Sequence, residues 1–196
     1  MGTRNLTCVV YQSEIKIAKY CQWDGYPSGQ GSEILKFLKE KFNKPLFVSE
    51  LQKVKEITEE ELNSKWQECG AAPNSPFISI EVSNKFNTKY PHLARDMGAG
   101  ILEAIQVGKV PSVQNSVTFA NDSLFCEWAY LIDLDNETLE VYKGFNQTPL
   151  STTDRFYQES NNSSEYYPVK LTKIYKLNEL PSLEAFIEDL EGEETD

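Results

Sequence analysis

One histidine, His92, serves the whole chain of 196 residues. A Ser-His-Asp triad or a multi-histidine metal centre is therefore excluded or reduced to that single residue. It follows Pro91 at the start of a predicted helix and reads as a surface residue. The four cysteines, Cys8, Cys21, Cys69 and Cys126, form no CxxC pair, which argues against a zinc site of the usual kind. They read as buried or half-buried thiols of a reducing compartment. No apolar run approaches the roughly 20 residues of a membrane helix. The opening MGTRNLTCVVYQSEIK lacks the apolar stretch of a secretory signal. Leu6 stands where a myristoylation site needs Ser or Thr. Sequons such as Asn146-Gln147-Thr148 then carry no weight. The expectation is a cytoplasmic protein with no membrane association, no metal and no cofactor.

Basic residues are scarce as well: 19 Lys and Arg stand against 30 Asp and Glu, a formal net charge of −11. That balance disfavours broad phosphate binding, so direct nucleic-acid binding is not expected. Three uses of the acidity stay open: solubility, an acidic surface that meets a basic protein partner, and mimicry of nucleic acid. Part of the excess lies between Glu188 and Asp196, which reads as a frayed, solvated end. The length suits one domain, 1–190, followed by an acidic disordered tail, 191–196.

The segments that remain alternate clearly. Asn5–Gln12 places Leu6, Cys8 and Val10 on one face and Thr7, Val9 and Tyr11 on the other; Ile15–Gln22 alternates likewise. Both read as strands joined by a tight turn near Ser13-Glu14. A two-residue turn sets Asn5 opposite Gln22 and Arg4 opposite Trp23; a three-residue turn shifts this by one. Either way the open end of the hairpin brings Arg4 and Asn5 beside Gln22, Trp23 and Asp24. Gly29–Phe42 changes to helical spacing, with Ser32 as N-cap. Leu46–Val54 and Glu59–Gln67 read as helices, the second opened by a Thr58/Glu61 capping box. Phe77–Val82 reads as a short strand and Pro91–Gln106 as a helix. Gly98 and Gly100 inside that helix suggest close packing against a neighbour. Glu127–Leu134 and Leu139–Lys143 form a second hairpin, Gly144–Ser164 a long polar surface loop, Tyr167–Leu177 a strand and Ser182–Leu190 a closing helix. The fold class is α+β: an antiparallel sheet of two hairpins plus a further strand, with helices packed on it, rather than a βαβ parallel architecture.

Chemistry concentrates in QWDGYPSGQG, Gln22–Gly31. Its glycines follow a strand and precede a helix, the context of an anion site. Ser32-Glu33 replaces the Lys-Ser/Thr that ends a phosphate-binding loop, and the dinucleotide spacing also fails. Backbone N–H groups at Gly29–Ser32, near Arg4, could still hold a polar or anionic group. Alternatively Trp23 and Tyr26 are core anchors, and the glycines only let the chain turn. Arg4 and Asp24 read as a structural ion pair, as ligand contacts, or as both. Asp133, Asp135 and Glu137 imitate a calcium loop, but Thr138 and Gly144 break the pattern. Arg95-Asp96 pairs locally or reaches toward the hairpin end. A strand hairpin followed by a polar loop is also the opening of N-terminal-nucleophile hydrolases, whose catalytic residue is a leading Cys, Ser or Thr; removal of Met1 would expose Gly2.

MGTRNL, QWDGYPSGQG and, less tightly, LARDMGAGIL (Leu93–Leu102) resemble a family of uncharacterised proteins of phage, bacterial and fungal genomes. The resemblance implies that the hairpin end, its loop and Arg95-Asp96 form one recurrent unit. A phage setting implies an accessory role, such as interference with host defence through a signal molecule or a host protein. No catalytic residues come with it. The reading is a non-enzymatic binding protein whose Arg4, Asn5, Gln22, Trp23, Asp24, Tyr26, Ser28 and Gln30 line a polar-aromatic pocket for a small polar or nucleotide-like ligand. An acidic protein–protein interaction module, inhibiting a host protein, and an N-terminal-nucleophile-type hydrolase are the alternatives.

Overall fold

The first strand of the chain lies inside the sheet, and that placement organises everything else. In the computed structural model, which describes residues 2–73, 77–157 and 165–192, five strands stand in the order β2-β1-β5-β6-β7. In chain order the elements are β1 (Asn5–Tyr11), β2 (Glu14–Cys21), α1 (Ser32–Lys36), α2 (Lys44–Leu51), β3 (Lys55–Glu56), α3 (Glu59–Glu68), α4 (Ile80–Lys89), α5 (Gly100–Gln106), β4 (Ser112–Val113), β5 (Trp128–Asp133), β6 (Thr138–Lys143), β7 (Lys170–Lys176) and α6 (Leu183–Glu191). Wide, π-type turns extend α1 at both ends, over Pro27–Gly31 and Phe37–Lys41. β3 and β4 form a separate short parallel pair.

The α+β class holds: four of the five strands form antiparallel hairpins, and the fifth, β7, extends the second of them antiparallel. The expectation of a purely antiparallel sheet does not hold. β1 and β5 are parallel, so the two hairpins meet side by side with their turns at the same end. There the Asp135 carboxylate accepts from Gln12 N at 2.9 Å and Ser13 N at 2.7 Å. The first turn falls at Gln12-Ser13, both with positive φ, the geometry that matches strand twist. A bulge between Val9 and Val10 then sets Asn5 opposite Cys21, not Gln22. The turn position and the bulge together account for the difference.

Two apolar layers enclose the sheet. Val9, Ile17, Trp128, Tyr130, Ile132, Leu139 and Val141 face the helices, whose Ile34, Leu35, Phe47, Ile101, Leu102 and Phe186 complete the main core. The other face buries Leu6, Cys8, Val10, Ala129, Leu131 and Tyr142 beneath Ala120, Cys126, Phe156 and Val169. A third cluster, Ile57, Cys69, Phe86 and Leu93, joins α3 to α4 beside β2, with Trp66 stacked on Phe86 at 3.6 Å.

Several local expectations are corrected. The stretch Phe77–Val82 is not a strand: α4 starts at Ile80, with Ser79 Oγ accepting from Val82 N. The Pro91–Gln106 helix is broken into a turn, Pro91–Leu93, and α5, because Gly98 adopts φ +51° between them. Ser32 is no N-cap; the helical turns begin at Pro27, whose carbonyl accepts from Ser32 Oγ at 2.8 Å. Residues 144–157 are anchored rather than loose: Asn146 is buried and Arg155 joins Asp133 and Glu140 at 2.7 Å each. Residues 158–164 of that predicted loop lie outside the described residues. Glu188, Asp189 and Glu191 belong to α6 rather than to a frayed end, and 193–196 lie outside the described residues. The Thr58/Glu61 capping box forms as expected.

Candidate functional site

Hairpin geometry does gather the N-terminus around the decapeptide. Asn5 Nδ2 donates to Trp23 O at 3.2 Å, and Gly25 N donates to Thr3 O at 3.0 Å. The loop then closes on itself. Gln30 N reaches Asp24 O at 2.7 Å, and Gly29 and Gly31 N both reach Tyr26 O. Asp24 O would lie 2.2 Å from a Cβ on Gly29, so this chain crossing requires glycine. Gln30 Oε1 accepts from Ala99 N at 2.6 Å, and a Cβ on Gly98 would meet the same oxygen at 2.1 Å. The close packing expected at Gly98 is therefore against Gln30.

These bonds correct the proposed amide cradle. The N–H groups of Gly29, Gln30 and Gly31 are engaged inside the loop, and Ser32 N donates to Gly29 O. Ser28 N donates to Glu191 Oε1 at 2.7 Å, so the anion held at this helix start is the protein's own carboxylate. Arg4 does not pair with Asp24. Its guanidinium lies 4.6 Å from the centre of the Phe125 ring, which leaves Asp24 exposed in a left-handed conformation. Trp23 lies against Gly2 and is 46% exposed, and Tyr26 is 51% exposed. Neither ring anchors the core. Gln22 accepts from Tyr20 OH at 2.7 Å. Of the eight residues predicted to line one pocket, Asn5 and Gln30 are buried, Arg4 and Gln22 half-buried, and Trp23, Asp24, Tyr26 and Ser28 exposed.

Polar chemistry collects instead on the helix-facing side of the same hairpin end. Directly paired residues in antiparallel strands project to one face. Asn5 with Cys21 and Thr7 with Lys19 therefore form a polar floor, continuous with apolar Val9 and Ile17. All four are buried. Asn5 Oδ1 and Thr7 Oγ1 have no hydrogen-bond partner among the described residues, and neither does Nε2 of His92. His92 is thus buried, contrary to its expected surface position, because the Pro91–Leu93 turn packs against β4. Unpartnered buried polar atoms are rare in native folds; a fourth, Thr138 Oγ1, lies at the opposite end of the sheet.

Beside this floor opens a cleft of about 520 Å³ between the edge of β2 and the α3–α4 pair. Lys19 and Tyr20 form one wall, Trp66 and Phe86 the other, with Arg95 and Asp96 at the rim. Arg95 Nε and Asp96 Oδ1 are 3.6 Å apart, and both act electrostatically on Tyr20 across the cleft. Arg95-Asp96 therefore both pairs locally and reaches the hairpin end. Lys19 is the central group. It is 4% exposed, and its ammonium has no hydrogen bond or ion pair among the described residues. Burial pushes it down to about 8, against the opposing pull of Cys21 and Asp96. Burial also lowers His92, and the charges of Lys19 and Lys65 lower it further; burial raises the Cys21 thiol.

Lys19, Thr7, His92, Trp66 and Phe86 did not emerge from motif reading. A signal for the first two exists: Lys19 shares strand parity with Ile15, Ile17 and Cys21, and Thr7 shares parity with Val9. A lysine on the apolar side of a strand is a local conflict of the kind functional sites carry. No cluster of three or more His, Cys, Asp or Glu suited to a metal occurs among the described residues. No family model, curated protein or solved structure matches the chain.

Proposed function

We propose that this is a binding protein for a small anionic, nucleotide-like ligand, and that the ligand enters the cleft between β2 and the α3–α4 pair. The single observation that carries the reading is Lys19, nearly fully buried, facing a cleft of about 520 Å³ with no ion pair within 4.0 Å among the described residues. A buried ammonium without a partner is costly, and an incoming anion removes that cost. Arg95 at the rim adds a planar donor fork for a carboxylate or phosphate. Tyr20 and Trp66 offer aromatic surface for a planar group. This keeps the ligand class expected from the sequence and moves its seat from the outside of the QWDGYPSGQG loop to the opposite side of the hairpin end. An accessory, anti-defence role fits such a protein if the ligand is a nucleotide signal.

Thermal-shift measurements with a panel of mononucleotides and nucleotide signals test this. A stabilising nucleotide should lose its effect in Lys19→Met and Arg95→Ala and keep it in Trp23→Ala. No shift with any nucleotide, or equal shifts in all variants, would sink the cleft as a nucleotide site.

A second reading is favoured by one observation. Phe77 and Ile80, at the start of α4, are 85% and 81% exposed. Exposed apolar side chains on an acidic protein suit a partner that combines a basic surface with an apolar contact. A pulldown whose yield falls with salt and with Ile80→Ser would support this interaction module.

A further inference from the structure

We propose that Lys19 captures carbonyl-bearing acids, such as 2-oxo acids, as a covalent imine inside the cleft. The inference rests on the cleft being a small-anion site and adds the chemistry of the bond. Three observations carry it together. The Lys19 residue is 4% exposed, its amine makes no hydrogen bond or ion pair among the described residues, and it lines an open cleft. Arg95, at the same cleft, can hold the acid group while the carbonyl meets the amine. Two groups act electrostatically on the amine, Cys21 two residues on and Asp96, which lines the same cleft. His92 lies close enough to feel the Lys19 charge and keeps an unpartnered ring nitrogen.

The step balances without an oxidant or reductant. The neutral Lys19 nitrogen forms a bond to the carbonyl carbon, and the C=O π pair moves to oxygen, which takes one of the two amine protons. The carbinolamine oxygen takes the second amine proton and leaves as water with the C–O electron pair, while the nitrogen lone pair forms the C=N bond. One water leaves and the imine remains, reversible by the same path. Desolvation of the amine supports this use, since a lysine near 8 holds far more neutral amine at that pH than a surface lysine.

The test uses the full chain, glyoxylate as the acid and cyanoborohydride as the trapping hydride donor, followed by proteolysis and peptide mass mapping. Reduction converts the imine to a carboxymethyl-lysine. At pH 8, Lys19 should be labelled about tenfold faster than the other lysines, a conservative reading of the roughly hundredfold excess of neutral amine that its position implies. Lys19→Arg should lose the dominant label and keep the weak background. Labelling spread evenly over surface lysines would overturn the proposal, and the wild-type map decides even if Lys19→Arg folds poorly. A parallel thermal-shift series with glyoxylate alone separates the two ideas. A shift that disappears in Arg95→Ala, with no trapping at Lys19, overturns imine capture and leaves the anion site standing. Neither shift nor trapping overturns imine capture, and the nucleotide panel decides the anion site separately.

Discussion

The hydroxyl of Tyr130, in the middle of the sheet, donates to the main-chain carbonyl of Gly25 at 2.8 Å. Both groups are buried, and Gly31 of the same loop packs against the Tyr130 ring and against Phe186 of α6. The loop is thus fastened to β5 rather than laid over it. Tyr130→Phe keeps the ring and strands the Gly25 carbonyl. It should lower stability by about 1–3 kcal/mol, read as a drop in the urea midpoint at unchanged slope. An unchanged midpoint would show that the loop does not depend on this bond.

Gly29 is the second fastening point. Gly29→Ala would drive a methyl into Asp24 O, which is main chain and cannot swing aside. A loss of about 2 kcal/mol or more is expected in thermal melts. Full wild-type stability in that variant would mean the loop crosses itself differently.

Arg155 holds two buried carboxylates, Asp133 and Glu140, and Tyr142 OH donates to Glu140 beside them. Arg155→Met should destabilise by about 3–5 kcal/mol at neutral pH, because two buried carboxyl groups lose the guanidinium that joins them. Burial raises Asp133, but hydrogen bonds from Asn136 and Arg155, with the Arg155 charge, outweigh it and leave the group below its ordinary value. Its folded form therefore binds protons less readily than its unfolded form. That contribution is present above the ordinary carboxylate range and is lost as pH falls through the lowered value. The variant should lose this acid sensitivity, so the gap between the two proteins should narrow from pH 5 toward acid, a comparison that melting curves at matched pH provide.

Lys19 predicts a slope of the same sign in a higher pH window. Its folded value is near 8 and its ordinary value is 10.5. Between the two, the unfolded chain binds the proton and the folded chain does not, so stability rises with pH in that window. Relative to Lys19→Met, wild type should gain about 1 kcal/mol between pH 8 and pH 9. The comparison with Lys19→Met isolates this slope, because buried Cys8, pushed up to about 12, acts in the other direction above its ordinary value of 9.0 in both proteins alike. A flat difference between the two proteins would place the ammonium in water.

Much of the fold is legible in the chain because the signals are local. Alternation at Trp128, Tyr130, Ile132 and Leu134 gives the inward face of β5, and Thr58 with Glu61 gives the start of α3. What is not legible depends on distant partners. Nothing near Asn5 announces Trp128 beside it, since parallel pairing leaves no turn to read. Ile80 heads a helix despite a β-branched neighbourhood because Ser79 caps it. The candidate site divides the same way. Hairpin arithmetic brings Asn5 next to Trp23, but the side of the sheet that matters depends on a bulge at Val9/Val10 and on the segment carrying His92 and Arg95. Glycine-rich residues draw attention to the loop, whereas the unpaired groups lie on plain strand positions, Thr7 and Lys19.

The parallel join of β1 to β5 has a consequence for synthesis. Arg4 and Glu127, which meet at this join, are 123 positions apart. During translation the first hairpin leaves the ribosome with one long hydrogen-bonding flank bare, and its natural neighbour does not yet exist. Non-local pairing of this kind slows folding and leaves sticky flanks open to other chains. A nascent chain stopped before residue 128 should therefore bind chaperones and aggregate, and the full chain should acquire protease resistance in one late step.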